Sequence, residues 1–108
     1  MVPLADGMPN RVYTDITKLR SDVNYLIDQG RVRVHLHART AHPELTDVEK
    51  VAIVRYGIRT KPDGRRQPSE GVCVCWATRP KLGLCRAVFC IEETSGGDVV
   101  LVITSFPE

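Results

Sequence analysis

The chain has 108 residues, 43% of them apolar and 26% charged. That suffices for one domain with a modest core, is too short for two, and is too apolar for a disordered chain. No apolar run approaches the roughly 20 residues of a membrane span, and no positive region followed by an apolar stretch marks a signal peptide. We therefore expect a single domain over residues 1–108, in the cytoplasm and with no membrane partner, whose four cysteines remain thiols.

The net charge of +2 conceals an asymmetry. Residues 31–86 carry twelve Lys/Arg against five Asp/Glu, a local excess of +7, and the two ends carry three against eight, a balance of −5. A basic middle gathered on one face points to a phosphate-bearing partner, whereas the same charges spread over all faces are only solvated surface.

Residues 1–13, with two prolines, read as an irregular arm. Thr14 or Asp15 can cap a helix over residues 16–29, in which Ile16, Leu19, Val23, Leu26 and Ile27 recur at helical spacing and Gly30 supplies the stop. Together they define an extra helical segment, residues 14–30. Residues 31–37 then alternate: Val32, Val34 and Leu36 point one way and Arg31, Arg33, His35 and His37 the other, the pattern of a half-buried strand.

Pro43 interrupts the chain. Thr46 and Glu49 have the spacing of a capping box, and the helix they open continues through Val48, Val51, Ala52 and Val54 to a stop at Gly57. Residues 60–71, with two prolines, two glycines and the pair Arg65-Arg66, read as a loop. Three apolar runs follow, at 72–78, 84–92 and 99–106, separated by turn sequences that favour an antiparallel meander. The last is apolar on both faces, as a central strand should be. The order gives an α+β domain: two helices packed on one face of a curved antiparallel sheet of three to four strands.

The chemistry-bearing residues cluster. His35, His37 and His42 fall within eight residues. A zinc site would suit three nearby histidines, but arginines flank them and no carboxylate sits close on the same strand, so we expect no metal and no cofactor. A histidine can instead move a proton to or from a ribose hydroxyl or a leaving oxygen, with arginines stabilising charge on phosphorus. Arg39, Arg59, Arg79 and Arg86 are candidates for that cradle, and Arg33 and His35 for the surrounding nucleic-acid surface. Cys73, Cys75, Cys85 and Cys90 do not have zinc-knuckle spacing, and they read as buried thiols. Thr104 and Ser105 offer hydroxyls at the end of the last strand, Ser105 reading first as simple strand propensity, and Trp76 and Phe106 are aromatic faces on which a base can stack, Trp76 reading first as a core residue.

His37-Ala38-Arg39, then Leu45-Thr46-Asp47-Val48-Glu49 opening a helix that ends at Gly57, then a meander closing on Val102-Ile103-Thr104-Ser105-Phe106-Pro107, resembles small bacterial domains related to the RelE, ParE and BrnT toxins. These belong to the wider barnase–EndoU–colicin–RelE-like ribonuclease group. The resemblance spans residues 34–107, assigns residues 31–108 as a RelE-like core and leaves the first helix unexplained. It implies metal-independent RNA cleavage, with the motif histidine on His37, its arginine on Arg39 and the closing-strand hydroxyl on Thr104, and it implies RNA and a cognate antitoxin-like protein as partners. Two departures stand out. Pro43 cuts short the segment after His37, and Phe106 stands where the pattern has tyrosine. A toxin-type endoribonuclease and a non-catalytic module that binds nucleic acid or protein through the same face both fit these residues.

Overall fold

A computed structural model describes residues 10–108 of the chain, so the first nine residues of the expected arm lie outside the described residues. From Asn10 the chain is already attached to the sheet, through a bridge to Glu92 and a bond from the Arg11 N–H to the Ile91 carbonyl.

Helix α1 spans Ile16–Asp28. Of the two expected caps Asp15 serves, its carboxylate accepting from the Thr17 and Lys18 N–H groups, and Leu19, Val23 and Leu26 are buried on one stripe. Gly30, at φ +74°, turns the chain into β1, Val32–Val34. The strand is shorter than the alternation predicts. At His35 the imidazole Nδ1 accepts from the His37 N–H and caps a new helix, α2, over Leu36–Ala41. His35 and His37 therefore do not share a strand face: a side-chain cap overrides the period of two. The helix ends where Pro43 forces His42 out of helical geometry.

Helix α3 spans Asp47–Arg55. Thr46 accepts from the Glu49 N–H at 3.1 Å, as the capping box requires. The reciprocal half is not made, because the Glu49 carboxylate is taken by Arg79. Residues 60–71 are not all loop. Strand β2 covers Ile58–Pro62, and a 3₁₀ turn over Pro68–Glu70 precedes β3, Cys73–Arg79. Strands β4, Gly83–Thr94, and β5, Gly97–Pro107, complete the meander.

The architecture is α+β, with three α-helices and a five-stranded mixed sheet of order β1-β5-β4-β3-β2. The expected count of two helices and three to four strands is low because α2 and β2 were not legible, and the sheet is not wholly antiparallel because β1 runs parallel to β5. As its two-sided apolar sequence predicts, β5 is internal, between β1 and β4.

One face of the sheet packs on α1 and α3. There Leu19, Val23, Leu26, Ile53 and Val54 meet Cys75, Ala77, Cys85, Ala87, Phe89, Val100 and Val102. Fully burying a side chain such as Phe89 or Ile53 contributes about 1.5–3 kcal/mol. The opposite face carries a smaller cluster of Val72, Val74, Val88 and Cys90, flanked by half-buried Trp76, Leu101 and Ile103. All four cysteines are free and buried. Among the described residues no helix is long and apolar enough to cross a membrane.

Candidate nucleic-acid interface

The face that α1 and α3 leave uncovered is ordered by the strand register. Ile58, Trp76, Arg86 and Phe106 are cross-strand partners in one row, and Lys61, Val74, Val88 and Thr104 form the next. Two irregularities decide what this face displays. The first is in β5, where Phe89 pairs with Val102 but Val88 pairs with Thr104, skipping Ile103. An extra residue at a bulge reverses which side the following residues face. Thr104 thus turns to the uncovered face, and Ser105 turns into the core, where its hydroxyl is fully buried without a partner.

The second is in β2, where the register shifts between Ile58 and Lys61 and Arg59 adopts φ +56°. With regular alternation Arg59 would face away from Trp76. The left-handed residue instead places its guanidinium carbon 5.1 Å from the indole centre. Lys61 Nζ and the Arg86 guanidinium approach the same ring at 5.5 and 5.7 Å, all within cation–π range. The indole N–H donates to the Glu108 carboxylate at 2.9 Å, which fixes the ring. Beside it, Phe106 stacks on His42 with centroids 5.2 Å apart.

On the same face lies a cleft of about 450 Å³ lined by His37, Asp63, Arg65, Arg66, Glu70, Val88, Ile103 and Thr104. Its rim is the loop after β2. Asp63 is buried and accepts from the Arg65 N–H, with Arg66 Nε 3.6 Å away. Glu70 accepts from the Gln67 N–H and lies 3.9 Å from Arg66. The cleft therefore offers an exposed imidazole, two guanidinium groups, carboxylates and a hydroxyl around one opening.

The expected site residues separate. His37 and Thr104 line the cleft, and Arg59 and Arg86 meet at Trp76. Arg39 is directed elsewhere, paired with Asp47 at 2.8 Å in a groove between β1 and α3 that Val32, Val34, Val48 and Val51 line. Arg33 pairs with Glu92 at 2.6 Å and His35 is the cap of α2. Arg79 binds Glu49 and lies over Tyr56. Arg65, Arg66 and Glu70 in the cleft and Lys61 at Trp76 escape the sequence reading. The basic pair inside a turn-rich segment was the available signal, and the sequence places no partner beside it.

Pairing sharpens the contrast. Arg33, Arg39, Arg55 and Arg79 all have a carboxylate within 4.0 Å. Among the described residues Arg59, Lys61, Arg65 and Arg86 have none, and the Arg86 Nε is buried without an acceptor. The cysteines lie in a different regime. Burial pushes the Cys75 and Cys90 thiols up to about 12 and Cys73 to about 11, so none is a thiolate nucleophile at neutral pH. Among the described residues no three His, Cys, Asp or Glu side chains are grouped to hold a metal ion.

Comparison of the chain with protein-family models, with curated proteins and with solved structures found no match.

Proposed function

We propose that the protein is a metal-independent endoribonuclease of toxin type that works in the His37 cleft. The observation that carries this reading is the convergence of His37, Arg65, Arg66, Glu70 and Thr104 on one opening. Cleavage of RNA by its own 2′-hydroxyl needs a base for that proton, a donor for the leaving 5′-oxygen, and positive charge beside the phosphorane. Glu70 takes the 2′-hydroxyl proton as the 2′-oxygen attacks phosphorus. His37, as imidazolium, protonates the departing 5′-oxygen, so that one P–O bond forms and one breaks, leaving a 2′,3′-cyclic phosphate and a 5′-hydroxyl. Arg65 and Arg66 neutralise the phosphoryl oxygens, and the Thr104 hydroxyl donates to one of them. No step in this scheme requires a metal ion.

The test is incubation of purified protein with RNA in excess chelator. Wild type yields cyclic-phosphate ends, and His37→Ala lowers the rate by about 100-fold or more while leaving RNA affinity within a few-fold. Chelator-sensitive cleavage, or cleavage untouched by His37→Ala, overturns the scheme. The alternative is a non-catalytic module that binds nucleic acid or a protein. The concentration of unpaired cations at Trp76, apart from the His37 cleft, favours that reading, and it predicts binding with no cleavage. An antitoxin-like protein partner belongs to the toxin reading and is tested by co-purification of the product of the adjacent gene.

A further inference from the structure

We infer that Arg59, Lys61 and Arg86, held around Trp76, form a second phosphate subsite that grips single-stranded RNA beside the cleft and makes longer strands better substrates than short ones. The inference rests on the RNA reading above and deepens it.

Three cations converge on one indole, 5.1, 5.5 and 5.7 Å from its centre. No carboxylate lies within 4.0 Å of any of them among the described residues. The Glu108 carboxylate at the ring accepts from the indole N–H. Like charges so gathered repel one another, and a polyanion relieves that repulsion. The arrangement is also held against backbone preference, because Arg59 reaches the ring from a left-handed conformation that a non-glycine residue adopts only when its surroundings impose it.

Position ties the cluster to the cleft. Trp76 and Arg86 lie one same-face step along β3 and β4 from Val74 and Val88, and Val88 pairs with Thr104. Two residues along a strand cover about 7 Å. A strand whose scissile phosphate sits by His37 and Thr104 therefore carries a neighbouring phosphate over the Trp76 row. Val74 and Val88, in the Thr104 row, are buried beneath this face, and the stacked Phe106–His42 pair in and beside the Trp76 row gives an aromatic surface for an unstacked base. Paired bases in a duplex cannot use that surface, and the preference is for single strands.

The test uses the full chain, with His37→Ala as background for binding, and fluorescence anisotropy with a labelled 12-nucleotide single-stranded RNA across a salt series. Arg59→Gln/Lys61→Gln/Arg86→Gln is expected to weaken binding about tenfold or more and to lower the salt slope by about 2, since three phosphate contacts on a single strand each contribute about 0.7. Arg59→Gln/Lys61→Gln, both at exposed positions, serves as the control for any folding defect at half-buried Arg86, and is expected to show a smaller loss in the same direction. With His37 intact, the triple variant should lose the wild type's preference for the 12-mer over a dinucleotide. Unchanged affinity and salt slope in the triple variant overturn the subsite even if cleavage is present. Equal wild-type affinity for a duplex of the same length, or equal competition by polyglutamate, overturns the single-stranded RNA assignment. Binding lost in the triple variant from a wild type that never cleaves leaves the subsite standing and removes only the ribonuclease reading.

Discussion

The guanidinium of Arg59 and the indole of Trp76 meet at 5.1 Å only because Arg59 carries a positive φ of 56° inside a β-bulge. The contact and the backbone conformation can be separated by mutation. Arg59→Gly and Arg59→Ala both lose the indole contact, but only alanine places a Cβ in the left-handed region. Arg59→Gly is expected to be the more stable of the two by about 1 kcal/mol, measured by urea denaturation, and both should bind RNA more weakly than wild type.

Arg39 and Arg65 form a second pair for comparison. Arg39 is tied to Asp47 in the groove between β1 and α3, whereas Arg65 lines the His37 cleft without a carboxylate partner. Arg65→Ala is expected to lower the RNA cleavage rate by about tenfold or more, and Arg39→Ala to leave it within about twofold, the usual scale for an exposed ion pair. Single-turnover rates on one oligonucleotide decide the matter.

The buried thiols make stability depend on pH on the alkaline side. Burial raises Cys75 and Cys90 from 9.0 to about 12 in the folded protein. In the unfolded chain they ionise near 9, so between about 9 and 12 the folded state holds more protons and stability falls as pH rises. Below 9 the effect is fully present and flat. Tyr13, raised by burial and by its bond to Asp22, adds to the same trend at higher pH. Urea midpoints at pH 8, 9, 10 and 11 should decline above 9, and Cys75→Ala/Cys90→Ala should flatten the decline.

Gly57 lets the turn from α3 into β2 pass directly over β3. A Cβ there would collide with the Cys75 Sγ and lie 2.7 Å from the Cys75 Cβ. Gly57→Ala is expected to destabilise the fold by about 1–3 kcal/mol through overpacking. Cys75→Ala in that background should recover part of the loss, because it removes the nearest atom. Thermal denaturation of the single and double variants measures the coupling.

Lys50 is 1% exposed on α3, among the largest fully buried side chains, and has no carboxylate within 4.0 Å among the described residues. Lys50→Ala removes a long aliphatic stem from that packing and is expected to destabilise the fold by about 1–3 kcal/mol, read as a lower urea midpoint.

The larger elements were legible because their signals are local. The apolar stripe of Leu19, Val23 and Leu26, the Thr46 cap and the two-sided apolar run through Val100 and Val102 each declare an element within a few residues. What escaped depends on distant partners or on side chains overriding a pattern. The alternation through His37 looked like strand until the His35 imidazole capped a helix. Strand β2, nearly all polar, is a strand only because β3 lies beside it. For the candidate site, His37, Thr104, Arg59 and Arg86 could be named, but not which of them stand together. That depends on two bulges, and one displaced residue in a strand reverses the direction of every side chain beyond it.

The placement of β5 between β1 and β4 has a kinetic consequence. The strand nearest the C-terminus joins both halves of the sheet, aligning Val100 with Val32 on one side and Ile91 on the other. The His37 cleft, which takes Ile103 and Thr104 from β5, cannot form until β5 has paired with β4. Assembly of the cleft thus waits on pairings distant along the chain, such as Val32 with Val100, which are slow to close.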